Sequence, residues 1–206
     1  GTSSSPLFSP GQLSPFGLDT SSSTYGIMSP TLVDLDGDGD LDLINSFVSI
    51  EYYENTGDAS SPVFSSPVQN PFGINFGINM GITNFNTGTT LADLDGDGDF
   101  DLLTTSIYGN LNYFENIGTS TAPQFAPKTT NPFGLTPSTD SISGYPELMD
   151  IDRDGDLDLM VGSYNETTYA GIFEYFENIG TNTAPQFALK TTNPFGLTAT
   201  YGYNIL

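Results

Sequence analysis

A nine-residue run, here called the Asp run, constrains this chain more than any other feature because it occurs three times. The copies begin at Asp34, Asp93 and Asp150, and each holds five carboxylates, at positions 1, 3, 5, 7 and 9. Carboxylates this close together repel one another unless a cation lies among them. A hard divalent ion takes about six to eight oxygen ligands, and calcium suits such a set best. The sequence therefore predicts three calcium sites.

The predicted ligands are the aspartates of the three runs. They are Asp34, Asp36, Asp38, Asp40, Asp42, Asp93, Asp95, Asp97, Asp99, Asp101, Asp150, Asp152, Asp154, Asp156 and Asp158. Position 6 is always glycine, where a sharp turn favours positive φ, and position 7 can also offer its backbone carbonyl. Positions 2 and 8 are mostly apolar, so we expect their side chains to turn into a core. Position 12 is Asn45, Thr104 or Val161 rather than glutamate, which excludes an EF-hand.

Each Asp run lies inside a longer repeat. A Glu-Asn-x-Gly turn, a Pro-containing segment and a Pro-Phe-Gly element follow every run. We predict four short strands per unit: one that enters the run, one that leaves it, an aromatic strand, and the Pro-Phe segment exemplified by Pro62-Val63-Phe64. Period-two alternation, aromatic enrichment and Gly/Asn turns favour antiparallel sheet, and no segment has helical periodicity.

We predict a single repeat array over residues 1–206. Its approximate units are a partial unit 1–17, repeats 18–73, 74–134 and 135–196, and a partial unit 197–206. Ser5-Pro6-Leu7-Phe8 is similar to the fourth strand of a preceding unit, and residues 200–206 are similar to the approach to a further Asp run. We therefore expect the chain to start late in one unit and to stop early in another.

The Asp-x-Asp-x-Asp-Gly-x-x-Asp pattern in triplicate, inside units with a Phe-Gly element, resembles the FG-GAP/VCBS repeat family. Such repeats occur in integrin α-chain propellers and in many secreted bacterial proteins. The resemblance covers nearly the whole chain. It implies an all-β fold of tandem four-stranded antiparallel blades of β-propeller type, with about three full repeats plus partial terminal units. It also implies calcium in the loop between the first two strands of each blade.

Charge and composition exclude several function classes. The chain has 25 acidic and 3 basic residues and a formal charge of −22, so nucleic acid and anionic membrane surfaces are not expected partners. It has no cysteine and no histidine, which excludes disulfides, zinc sites and the usual Ser-His and Cys-His nucleophile pairs. No apolar stretch approaches the ~20 residues of a membrane span. We expect that the protein is not an enzyme.

The sequence thus favours an extracellular or cell-surface structural or adhesive protein that calcium stabilises. Such loops bind calcium best where its free concentration is near ~1 mM, outside cells. The partial units suggest self-association, head to tail, into a filament. Two alternatives stay open: a carbohydrate- or protein-binding propeller segment, and an accessory domain of a larger secreted protein. Other extracellular proteins or glycans are then the expected partners.

Overall fold

The computed structural model describes residues 10–18, 29–46, 49–75, 86–106, 108–136, 141–165, 167–168, 170–189 and 191–198. This part of the chain holds β-strands and single-turn 3₁₀ helices and no α-helix. The strands form three four-stranded antiparallel sheets. The predicted all-β fold with four-stranded blades is confirmed.

In each blade the strands are hydrogen-bonded in chain order. Blade 1 contains β1 (Pro30–Val33), β2 (Asp42–Ser46), β3 (Ile50–Tyr53) and β4 (Val68–Gln69). Blade 2 contains β5 (Asn86–Ala92), β6 (Asp101–Ser106), β7 (Leu111–Phe114) and β8 (Thr129–Thr130). Blade 3 contains β9 (Ser141–Met149), β10 (Asp158–Asn165), β11 (Gly171–Phe176) and β12 (Thr191–Thr192). Every Asp run therefore fills the loop between the first two strands of its blade.

The fourth strand was predicted in the wrong place. The Pro-Phe segments make only an isolated bridge, such as Asn116 with Phe125, and the fourth strand begins a few residues later. Proline lacks the N–H that a ladder needs, and the phenylalanine N–H is used elsewhere. That of Phe125 donates to the Phe72 carbonyl over 2.8 Å, and that of Phe187 donates to the Phe133 carbonyl over 2.8 Å. The Pro-Phe segments thus join neighbouring blades.

Consecutive blades pack against one another through apolar faces. We call the face of a blade toward the preceding blade its front face and the opposite one its back face. The junction of blades 1 and 2 buries Val33, Leu35, Ile44, Ile50, Tyr52, Ile74, Leu102, Phe114 and Phe125. The junction of blades 2 and 3 buries Ala92, Leu94, Leu103, Leu111, Tyr113, Leu135, Leu159, Val161, Phe176 and Phe187. Two equivalent cores, one per junction, hold the described array together.

The Pro-Phe-Gly element is a tight turn that fastens each junction. It forms a 3₁₀ turn at Pro15–Gly17, Pro71–Gly73 and Pro194–Gly196. Its phenylalanine has a left-handed backbone, with φ of 56° at Phe72, and the asparagine before it has φ of 47°. The side-chain oxygen of Asn131 accepts from Leu111 N–H over 2.9 Å, which pins the turn of blade 2 to β7. The strained backbone aims the phenylalanine carbonyl at the next blade.

The predicted partial units fall largely outside the described residues, which omit 1–9 and 199–206. Within the described residues, no helix is long and apolar enough to cross a membrane.

Candidate metal centre

The aspartates at the start of each Asp run converge. In the first run, ligand atoms of Asp34, Asp36 and Asp38 all lie within 4.8 Å of one another. The equivalent residues of the third run, Asp150, Asp152 and Asp154, do the same. In the second run the group is Asp93, Asp95 and Asp101, which combines positions 1, 3 and 9. The loop conformation thus gathers acids that could hold a metal ion.

The backbone of each loop wraps around these carboxylates. Gly39 N–H donates to Asp34 over 3.1 Å, and Asp40 N–H donates to Asp38 over 3.1 Å. The glycine at position 6 permits this turn because its φ is positive, 96° at Gly39 and 98° at Gly98. These hydrogen bonds within the loop hold its carboxylates close together.

The aspartate at position 9 anchors the loop to the rest of the blade. Asp101 is 1% exposed, and it accepts hydrogen bonds from Leu94 N–H (3.0 Å), the Tyr113 hydroxyl (2.9 Å) and Asn116 N–H (2.8 Å). Asp42 makes the same contacts in blade 1. Asp158 accepts from Ile151 N–H and Asn178 N–H in blade 3. Position 9 thus links the Asp run, the aromatic strand and the following turn.

The aspartate at position 7 has a buried carboxylate oxygen that a cation would suit. The Oδ1 atoms of Asp40, Asp99 and Asp156 are buried, and none has a hydrogen-bond partner among the described residues. The same holds for Oδ1 of Asp34. A buried carboxylate oxygen without a donor is costly, and a coordinated cation removes that cost. The donor set consists of oxygens alone, which fits a hard ion such as calcium.

The raised pKa values of several loop aspartates also favour a cation site. Burial raises the pKa of Asp99 to about 6, and the charge of Asp97 adds to the rise. Burial also raises the pKa of Asp101 to about 6, against hydrogen bonds that lower it. The pKa values of Asp40 and Asp156 rise from their ordinary value through burial first and then through the neighbouring aspartates. A divalent cation would reverse this effect by favouring the charged forms.

The apolar positions of the run behave differently from one another. At position 2, Leu35 and Leu94 are buried as predicted. At position 8 the prediction was wrong for Leu41 and Phe100, which are 51 and 40% exposed, whereas Leu157 packs against the core between blades 2 and 3. Adjacent residues of an extended segment point to opposite sides. Since position 9 must point inward to accept its hydrogen bonds, the Leu41 and Phe100 side chains at position 8 point the opposite way.

Sequence reasoning missed two supporting residues. The Tyr113 hydroxyl donates to Asp101 over 2.9 Å, a contact that the predicted aromatic strand did not indicate. The side chain of Asn116 accepts from Gly118 and Gln124 N–H over 3.0 and 2.9 Å, so it fixes the turn that serves Asp101. The available signal was recurrence, because the same tyrosine and asparagine occur once in every unit.

The third loop differs from the other two. Its clustered acids are all exposed, and position 4 is Arg153 rather than glycine. In the first two runs, position 4 touches the hairpin of the next blade: a Cβ atom at Gly37 would lie 2.7 Å from the Ser120 carbonyl oxygen, and one at Gly96 would lie 2.2 Å from Thr183. Blade 3 has no such cover in the described structure, so its loop stays open to solvent.

Comparison with known families agrees with this geometry. A family model described as the FG-GAP-like repeat matches residues 93–161. This stretch is similar to the FG-GAP-like repeat. It contains the second and third Asp runs, and blade 1 has the same strand order and loop position. The predicted resemblance is confirmed, and the match indicates a repeat domain. No curated protein matches the chain.

Proposed function

We propose that this protein is a non-enzymatic, calcium-stabilised structural or adhesive repeat protein of the extracellular space, and that it self-associates head to tail into filaments. Calcium would be held by the aspartates of the three Asp runs. Bound there, the ion would supply charge neutralisation and rigidity rather than chemistry. Such a role needs no catalytic group.

The observation that carries the proposal is the repeated buried oxygen at position 7. Three loops in one chain leave the same carboxylate atom without a donor, at Asp40, Asp99 and Asp156. Position 9 connects each loop to an aromatic strand, whose tyrosine packs edge-on against the Pro-Phe-Gly phenylalanine; the Tyr113–Phe133 centroids lie 4.9 Å apart. The ion would therefore stabilise the blade and, through this ring pair, the junction to the next blade.

The extracellular assignment rests on calcium supply. The clustered aspartates are largely accessible to solvent, which suits the dissociation constants of ~10⁻⁴–10⁻³ M typical of extracellular calcium modules. Cytosolic calcium would leave such loops empty and strongly charged. A secreted or surface-exposed protein meets the required concentration continuously.

The head-to-tail assignment rests on the difference between the two outer blades. The front face of blade 1 exposes Leu32 and Leu41, whereas the back face of blade 3 exposes Phe173 and Leu197. Because the faces differ, contact between them is heterologous and builds open filaments unless its rotation closes a ring.

Thermal unfolding tests the calcium proposal. We expect the melting temperature to be much higher in about 1 mM calcium than in chelator, and magnesium to stabilise less, since it demands a tighter octahedral site. Equal melting temperatures in calcium and chelator would refute the metal assignment. For assembly, electron microscopy in calcium should show filaments that are lost when residues 1–10 are deleted, while calcium binding is retained. Assembly that survives the deletion would contradict a contact made by the N-terminal partial unit.

The carbohydrate-binding alternative gains little from the structure. A groove of about 570 Å³ lies on the front face of blade 1, lined by Phe16, Leu32, Leu41 and Phe64 among others. This lining is largely apolar, whereas a sugar site needs several hydrogen-bonding groups for hydroxyls. A glycan array with reproducible hits in calcium buffer would restore that alternative.

A further inference from the structure

The back face of blade 3 carries larger and more exposed side chains than the equivalent faces inside the array. Met149 stands where blade 1 has Val33 and blade 2 has Ala92, and Phe173 stands where blade 2 has Leu111. Met149 and Phe173 are 47 and 39% exposed, whereas Ala92 and Leu111 are 7 and 2% exposed. This face is therefore built like one side of a blade junction, and no described strand covers it as blade 3 covers blade 2.

Position 4 of the third Asp run also differs at this face. Gly37 and Gly96 lie against the hairpin of the next blade, but the third run has Arg153. Because φ is 69° at Arg153 and 73° at Gly37, the two loops make the same left-handed turn. The Arg153 side chain thus leaves its loop on the side where the hairpin of a following blade would lie. It is exposed, and it forms no ion pair with a described residue.

The hairpin of blade 1 differs from the other hairpins in the matching place. Equivalent bridges close the three hairpins, and they put Asp58 where the other two blades have Thr119 and Thr181. The Ser60 hydroxyl and the Ser60 N–H donate to Asp58 over 2.6 and 2.8 Å, which lowers the pKa of that carboxyl and keeps it charged. Ser60 also replaces the larger threonine that faces position 4 in the internal junctions. Blade 1 therefore offers an anion and extra room at the point where a preceding blade presents position 4.

These two deviations are complementary in charge. The internal junctions do not bring them together, because Gly37 meets the hairpin of blade 2 and Gly96 meets that of blade 3. We propose that the back face of blade 3 packs against the front face of blade 1 of a second copy, with Arg153 paired to Asp58 across the contact. This inference rests on the self-association proposed above and names its two surfaces and the ion pair that selects them. Opposite charges across an interface fix its register and disfavour other partners.

The apolar parts of the two faces match in the same arrangement. The front face of blade 1 has the groove of about 570 Å³, which is lined by Leu32 and reaches Ala59 beside Asp58. Val33 and Leu91 pack in the core between blades 1 and 2, and the equivalent residues of the contact between copies are Met149 and Leu32. Met149 is 47% exposed and Leu32 is 57% exposed, so both gain burial when the faces meet.

The contact between copies is wider than the internal junctions. A Cβ atom at Gly88 of blade 2 would lie 2.7 Å from Cδ of Pro146, so that junction requires glycine. Blade 3 has Tyr145 in the position of Gly88, and it is 52% exposed. On the front of blade 1, the turn Pro15–Gly17 already lies against Phe64, whose N–H donates to the Phe16 carbonyl over 2.9 Å. A long arginine side chain spans such a gap, and a heterologous contact of this kind builds an open filament unless its rotation closes a ring.

Charge reversal on each side tests the pair with full-length protein in about 1 mM calcium. Arg153→Glu brings two acids together in the contact, and Asp58→Arg brings two arginines together. The equivalent hairpins of blades 2 and 3 close without an acid, so the second change is compatible with the hairpin. Lys128→Glu is the matched control, because it changes the net charge as Arg153→Glu does but lies beside β8 of blade 2, away from both faces. Calcium-dependent melting verifies folding, and sedimentation velocity with electron microscopy measures assembly.

We expect wild type and Lys128→Glu to assemble alike, and each reversal alone to need at least about tenfold more protein. Mixed one to one, Arg153→Glu and Asp58→Arg should assemble as wild type does, in alternating copies, because every contact then joins unlike charges. Wild type that assembles while both reversals assemble equally well would overturn this inference alone, as would a mixture of folded reversals that assembles no better than either. An equal loss in Lys128→Glu would also overturn it, because net charge would then explain the effect. Monomeric wild type would overturn the proposed self-association itself.

Discussion

The hydrogen bond between Tyr113 and Asp101 offers a direct test of how the Asp run is anchored. Tyr113→Phe removes one hydroxyl and leaves the ring packed against Phe133. A hydrogen bond to a charged group contributes about 1.5–3 kcal/mol when its loss leaves a buried partner. Tyr113 is 6% exposed and Asp101 is 1% exposed, so this range applies. For a chain of this size, each ~1 kcal/mol shifts the melting temperature by roughly 2–4 °C, so we expect a fall of about 3–12 °C.

Differential scanning calorimetry in saturating calcium measures this fall. Tyr108→Phe is the matched control, because the same atom is removed from a side chain that is 51% exposed. That variant should stay within about 0.5 kcal/mol of wild type. If Tyr113→Phe behaves like Tyr108→Phe, the tyrosine does not anchor the loop, and the coupling of the metal loop to the blade junction loses its support.

Three further predictions concern the loops. Asp99→Asn should weaken calcium binding by about tenfold or more in calorimetric titration, yet raise the melting temperature in chelator because it removes a buried charge. The reasoning fails if calcium affinity and the melting temperature in chelator both rise or both fall. In chelator, wild type should melt higher at pH 5 than at pH 7: the pKa values of Asp99 and Asp101, about 6 when folded, exceed the unfolded value of 3.8, so stability is lost as pH rises through about 6. A flat profile between pH 5 and 7 would contradict this. Gly96→Ala should cost at least about 1 kcal/mol more in denaturant unfolding than Gly98→Ala, because both glycines have positive φ but only a Cβ at Gly96 meets Thr183; equal costs would remove the packing argument.

Much of the fold could be predicted from local sequence because the same pattern recurs in three units. The Asp runs mark the loop between first and second strands, and the paired aromatics mark the third strand, β3, β7 or β11. The fourth strand could not be placed from pattern alone. In Pro62-Val63-Phe64 the apolar residues suggest a strand. The Phe64 N–H instead donates to the carbonyl of Phe16, which lies in a turn 48 residues earlier in the sequence. Alternation describes one sheet and carries no information about bonds between sheets.

The site was predictable in its acids and less so in its supports. Spacing alone singled out the Asp runs, and in each run three of the carboxylates converge. It did not distinguish position 7, whose oxygen is buried without a donor, from position 9, which is saturated by backbone and tyrosine donors. That difference depends on where the turn after the aromatic strand folds back. The outward direction of Leu41 follows from the same inward anchor at Asp42.

Calcium stoichiometry tests the central claim most directly. Isothermal titration of chelator-treated protein, confirmed by native mass spectrometry, should find three calcium ions per chain. The third loop should be the weakest site, because its acids are exposed and Arg153 adds a positive charge beside them. Three ions bound in two classes would support the account, whereas no calcium uptake at about 1 mM would contradict it.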